Sequence, residues 1–107
     1  MKFLAVTACP SGVAHTYMAA EAIKKAAEKQ GIEIKVETQG SIGIENQITA
    51  EDLKGADAVI LTKDMPIIHE ERFAKIPIVR IGVGDAIKKS DALIASIVRK
   101  LNEKKNG

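Results

Sequence analysis

Met1-Lys-Phe-Leu-Ala-Val-Thr-Ala-Cys9-Pro10-Ser11-Gly12-Val13-Ala14-His15-Thr16 opens the chain. Phe3 to Ala8 is a short, mostly apolar run that ends at Cys9-Pro10, the pattern of a strand buried on both faces. The period then changes. Ala19, Ala22, Ile23 and Ala26 form one stripe, and Glu21, Lys24, Lys25 and Glu28 form another. This spacing predicts an amphipathic helix over about residues 14–30, with Gly31 well suited to stop it. The only cysteine therefore stands where the first strand hands over to the first helix.

The rest of the chain continues the alternation. Ile32, Ile34 and Val36 alternate with Glu33, Lys35 and Glu37, which predicts a strand with one wetter face. Glu37-Thr-Gln-Gly40 is expected to leave that strand for a Gly/Ser loop. Thr49 followed by Glu51 and Asp52 reads as an N-cap with first-turn acids, so a short helix is expected over 50–55. Ala56 to Thr62 is another buried-type strand, and Met65 to Phe73 is irregular or briefly helical. Ile78 to Ile81, entered from Pro77, is a fourth strand. Ile87, Ile94, Ile97, Val98 and Leu101 predict one final amphipathic helix.

Strands alternating with helices imply a parallel sheet covered on both sides. The expected fold is α/β: a three-layer α/β/α sandwich around a central, mainly parallel four-stranded sheet, Rossmann-like in plan. Ligands of such sheets sit at the carboxyl ends of the strands, near a switch in strand order. Cys9–Thr16, Glu37–Gly43, Thr62–Met65 and Gly82–Asp85 fall at those ends.

Bulk properties narrow the function. At 107 residues the chain reads as one domain, large enough for a core without disulfides or metal. The polar tail 103–107 is expected to follow a domain spanning 1–102, as a frayed end or the start of a linker. One cysteine excludes an internal disulfide and fits a reducing compartment. A net charge of +2, from 16 basic and 14 acidic residues, is too balanced to suggest nucleic acid or direct insertion at a membrane. Phe3, Tyr17 and Phe73 are too few for a base-stacking platform. No apolar run approaches a membrane span, and no signal-peptide pattern precedes the first strand. A soluble intracellular domain is the expectation.

The Cys9 loop has the makings of a nucleophile site. A helix N-terminus favours an anion, which both lowers a thiol pKa and binds phosphate oxygens. Gly12 lets the backbone approach a ligand closely, and Ser11 and Thr16 add hydroxyls. A lone cysteine is often a small buried hydrophobe; the Pro-x-Gly loop and helix start after Cys9 favour function. His15 is placed for a phosphate contact, and in isolation reads as a surface or capping histidine. His69 reads as ordinary surface. Known cofactor signals are missing: no G-x-G-x-x-G follows the first strand, there is no Walker sequence, and one Cys with two scattered His makes no zinc site. No cofactor or metal is expected. Cysteine phosphatases use a C-x5-R loop, but the position of that arginine is His15 here. The arginine clamps and stabilises the transferring group. Its absence points to a loop that stores a phosphoryl group rather than hydrolysing it. A cysteine phosphatase and a non-catalytic docking module with a merely buried Cys9 are the competing readings.

The run Ala5 to Glu21 resembles the phosphorylation loop of the fructose-type IIB domains of the bacterial phosphoenolpyruvate-dependent sugar phosphotransferase system. Glu37-Thr-Gln-Gly-Ser41, Gly43, the Ala56–Leu61 strand with Asp64, and Arg72-Phe73 follow in similar order. One departure is Ser11, where threonine is commoner; the hydroxyl is kept. The resemblance implies a protein-phosphocysteine–sugar phosphotransferase. Cys9 would accept a phosphoryl group from a phosphohistidine on a IIA domain. It would pass it to a sugar, fructose by default and mannose as the alternative, held by a membrane-embedded IIC domain. Residues Pro10, Ser11, Gly12, Val13, Ala14, His15 and Thr16 would surround the phosphate. The domain would lie in the cytoplasm, held at the inner membrane face through IIC.

Overall fold

The structure, a computed structural model, describes residues 1–9, 13–40 and 43–106, without the side chains of residues 13 and 104–106. The element order is β1 (Lys2–Ala8), α1 (Val13–Lys29), β2 (Glu33–Gly40), β3 (Gly43–Glu45), α2 (Ala50–Leu53), β4 (Ala58–Thr62), a 3-10 turn (Glu70–Phe73), β5 (Ile78–Ile81), α3 (Val83–Lys88) and α4 (Ser90–Asn106). The sheet order is β3-β2-β1-β4-β5. The four expected strands, β2, β1, β4 and β5, run parallel to one another. A fifth, β3, adds an antiparallel edge, pairing Thr38 with Glu45 and Gly40 with Gly43.

β1 is central, and its residues alternate between two cores. Phe3 and Ala5 join Ala19, Ile23, Ala26, Val36, Ile60, Ile94 and Ile97 under α1 and α4. Leu4, Val6 and Ala8 join Ile48, Val59, Leu61, Ile67 and Phe73 on the opposite face. Full burial of each large apolar side chain contributes about 1.5–3 kcal/mol. The first face carries long helices; the second is covered by the four-residue α2, the 3-10 turn and irregular chain, so the third layer is thin.

Helix ends follow local chemistry. The Ile32 amide donates to the Ala27 carbonyl and the Gly31 amide to that of Glu28, with Gly31 at φ +70. This is a Schellman stop, which needs a left-handed residue at the position of Gly31. The Thr49 hydroxyl accepts from the Asp52 amide, and the Asp52 carboxylate accepts from the Thr49 amide, a capping box that starts α2.

The structure corrects three expectations. Glu37-Thr-Gln-Gly40 stays within β2, because residues 38–40 find partners in β3. The final helix is two helices: Ile87 lies on α3, and the chain breaks at Lys89 (φ −124, ψ 27) before α4. α4 also continues past Asn102 to Asn106 instead of fraying there.

Candidate functional site

The strand order switches between β1 and β4: the chain leaves β1 for β2 on one side and later returns to β4 on the other. Open α/β sheets bind ligands outside the carboxyl ends at such a point. Cys9 lies there, one residue past the end of β1. It is half-buried and packs against the core under α1.

Two threonines fix the chain on either side of Cys9. The Thr7 hydroxyl donates to the Thr16 carbonyl at 3.1 Å, tying the end of β1 to the first turns of α1. The Thr62 hydroxyl accepts from the Ala8 amide at 2.9 Å and donates to the Ala8 carbonyl at 3.1 Å. All are buried. Sequence reasoning missed both hydroxyls, since threonine in a buried strand carries no signal beyond its β-propensity.

α1 begins at Val13 and has no acidic residue in its first turn. No first-turn carboxylate therefore offsets the positive end of its dipole beyond β1. Ala14 and His15 are exposed. Thr16 is 2% exposed, and its Oγ1 has no hydrogen-bond partner among the described residues. Pro10, Ser11 and Gly12 lie outside the described residues, as does the side chain of Val13.

The neighbouring strand ends are polar and tightly held. Glu37 is fully buried, beside Val6 on the thinly covered face. Arg72 grips it with two hydrogen bonds, Nη1 to Oε1 at 2.8 Å and Nη2 to Oε2 at 2.6 Å. The Ile48 amide and the Gln39 side chain also donate to it. Burial pushes the Glu37 pKa up, but the hydrogen bonds from Arg72, Ile48 and Gln39 outweigh it, so the carboxyl titrates below its ordinary value. Gln39 accepts from the Ile68 amide and donates to the Ile68 carbonyl, which pins the 65–69 segment beside the strand ends. His69, in that segment, is exposed and left-handed (φ 63). Asp64, after β4, accepts from the Val83 amide at 2.7 Å and so holds the start of α3.

Tyr17, Met18, Met65 and Ile68 are exposed apolar or aromatic side chains on α1 and on the chain after β4. Tyr17 donates to Glu45 at 2.6 Å, and this bond raises the Tyr17 pKa. No helix among the described residues is long and apolar enough to cross a membrane.

Comparison with known proteins agrees with this geometry. Residues 4–96 match the family described as PTS system, Lactose/Cellobiose specific IIB subunit. The chain is 64% identical over 96 residues to the PTS system fructose-like EIIB component 2 of Escherichia coli K12, covering 90% of this chain and 91% of that one. It is 45% identical over 93 residues to the fructose-specific EIIABC component of Bacillus subtilis, covering 87% of this chain but 14% of that longer protein. The solution structure of an Enzyme IIB subunit of the PTS from Escherichia coli K12 superposes with a TM-score of 0.91 at 38% identity, covering 97% of this chain and 96% of that one. A mostly parallel sheet with this strand order, a single cysteine past its central strand and this degree of likeness place the chain in the EIIB family of the sugar phosphotransferase system, among its fructose-like members.

Proposed function

We propose that this domain relays a phosphoryl group through Cys9, from a phosphohistidine on a IIA domain to a sugar bound by a IIC domain. The observation that carries the reading is the position of Cys9: it follows the central strand at the switch point and precedes a helix whose first turn holds no acid. A helix N-terminus favours the phosphate that the sulfur would carry there. In the first step the Cys9 thiolate attacks phosphorus. An S–P bond forms and the P–N bond breaks, with its electron pair returning to the donor imidazole. In the second step a sugar hydroxyl attacks phosphorus, an O–P bond forms, and the S–P pair returns to Cys9 as the thiolate. The hydroxyl proton goes to solvent or to a base of the acceptor domain.

Such transfer is mainly positioning and charge stabilisation. The amides of residues 11–16 form the proposed cradle, with Pro10 shaping the turn, and the Ser11 and Thr16 hydroxyls adding donors. The buried Thr16 Oγ1, with no hydrogen-bond partner among the described residues, supports that role. His15 steadies the phosphate from the exposed side and is neither acid nor base. The Bacillus subtilis relative, named as an EIIABC component, supports IIA and IIC as the partners. The fructose-like relative supports fructose as the sugar. Tethering through IIC would hold the domain at the inner membrane face, with the segment from Asn102 leading into a linker.

The test is incubation with a phosphorylated fructose-type IIA domain, followed by mass spectrometry of the intact chain. One phosphoryl group on Cys9, absent from Cys9→Ala, is expected. No transfer, transfer retained in Cys9→Ala, or sustained Cys9-dependent hydrolysis of an aryl phosphate would overturn the reading.

A further inference from the structure

We propose that Thr62 is a positioning residue for Cys9: its hydroxyl replaces the missing rungs of the sheet at the switch point and orients the peptide that carries the thiol. Peptide groups of a central parallel strand face its two neighbours alternately. The Met1 carbonyl accepts from Glu33, the first residue of β2, and the Lys2 carbonyl accepts from Asp57, just before β4. By this alternation Ala8 faces β4. The β1–β4 pairing, however, stops at Val6 with Leu61. On its other side β4 stays paired with β5, from Val59 with Ile78 to Thr62 with Ile81, and the chain past Thr62 sends the Lys63 amide to the Ile81 carbonyl. The Ala8 amide and carbonyl would be stranded in the interior. The single Thr62 hydroxyl serves both, accepting at 2.9 Å and donating at 3.1 Å. Thr62 is 1% exposed and Ala8 is fully buried, so water does not compete for these groups.

The consequence passes to Cys9 through covalent geometry. The Ala8 carbonyl, the Cys9 nitrogen and the Cys9 Cα share one rigid plane. A bond that fixes the Ala8 oxygen therefore fixes the plane on which Cys9 Cα lies. On the reading of Cys9 as the phosphoryl acceptor, on which this inference rests, Thr62 sets the line of approach of sulfur to phosphorus.

The experiment compares Thr62→Val, which keeps the shape and removes the hydroxyl, with Thr62→Ser, which restores it, and with Ile97→Ala, a destabilised control in the core under α4. Initial rates of phosphoryl transfer from phosphorylated IIA are measured over a range of donor concentrations, below the melting point of every variant. Thr62→Val is expected to lower the saturated rate on the order of tenfold or more, because small misplacements in a reacting pair carry penalties of this size. Its half-saturating donor concentration stays as in the wild type. Thr62→Ser should recover most of the rate, and Ile97→Ala should retain it. A Thr62→Val rate equal to wild type, or a loss that Ile97→Ala shares, overturns the inference. If the wild type accepts no phosphoryl group, the relay reading falls. Iodoacetamide labelling of Cys9 then decides the positioning role: a rate changed in Thr62→Val and restored in Thr62→Ser upholds it, and equal rates in all three remove it.

Discussion

At the carboxyl end of β2, Glu37 and Gln39 turn inward and direct their polar atoms to Arg72, Ile48 and Ile68. At the adjacent end of β1, Cys9 is half-buried and followed by a helix start without a first-turn acid. Both stretches look functional in the sequence, with reactive or charged residues beside glycine. Their surroundings separate them. The Glu37 carboxylate is saturated by a bidentate guanidinium and neighbouring donors, and so acts as an internal fastening. Beyond Cys9, α1 carries a buried hydroxyl on Thr16 with no hydrogen-bond partner among the described residues. A polar residue at a strand end is informative once its hydrogen bonds are accounted for.

Removing Cys9 should give the largest functional effect and the least structural one. Cys9→Ala is expected to reduce phosphoryl acceptance to background while changing unfolding free energy by less than about 1 kcal/mol, as read from urea midpoints. Arg72→Ala reverses that profile. It leaves a buried carboxylate without its cation and should cost about 3–5 kcal/mol in urea unfolding. Transfer per folded molecule should change little. A variant that stays stable but loses transfer would erase the distinction between the two strand ends.

Acid titration sharpens it further. The Glu37 carboxyl titrates below its ordinary 4.5 in the folded state. Its contribution is therefore full above that value and declines as pH falls through the lowered native one. Melting temperatures of the wild type between pH 7 and 3 should fall accordingly. Glu37→Gln should melt lower at neutral pH and show a flatter decline on the acid side; parallel curves would remove the carboxylate from the account. The smallest expected effect is at the cap of α2, which covers the same face. Thr49→Ala loses the hydroxyl bound to the Asp52 amide and should cost about 1 kcal/mol, measured by urea unfolding.

The sequence disclosed the fold where burial is two-sided. Phe3–Ala8, apart from Thr7, and Ala58–Leu61 are apolar because both sheet faces are covered, and such runs are hard to misread. Gly31 and Thr49 announced helix ends through local chemistry alone. β3 escaped, since three residues beginning at glycine carry no alternation; only β2 beside them makes them a strand. Glu37 read as a wet-face residue because the period of β2 does not reveal that Arg72, thirty-five residues away in sequence, covers it. The break between α3 and α4 was hidden by apolar residues that keep helical spacing across it. Cys9 was legible as a candidate from the helix start after it; the hydrogen bonds of Thr7 and Thr62 were not, because they depend on where the strand pairing ends.

Both margins of the sheet are short. β3 offers three residues, and β5 four, entered from Pro77. Beyond β3, the Asn46 side chain donates to the Val36 carbonyl and stops the outer rim of β2 from accepting there. A domain that must meet other domains in turn risks being captured by strand addition, which exposed margins invite. Here little unsatisfied backbone is left for a passing strand to zip onto. On the proposed relay, such short margins leave the carboxyl ends of the strands as the place for partner domains to meet this one.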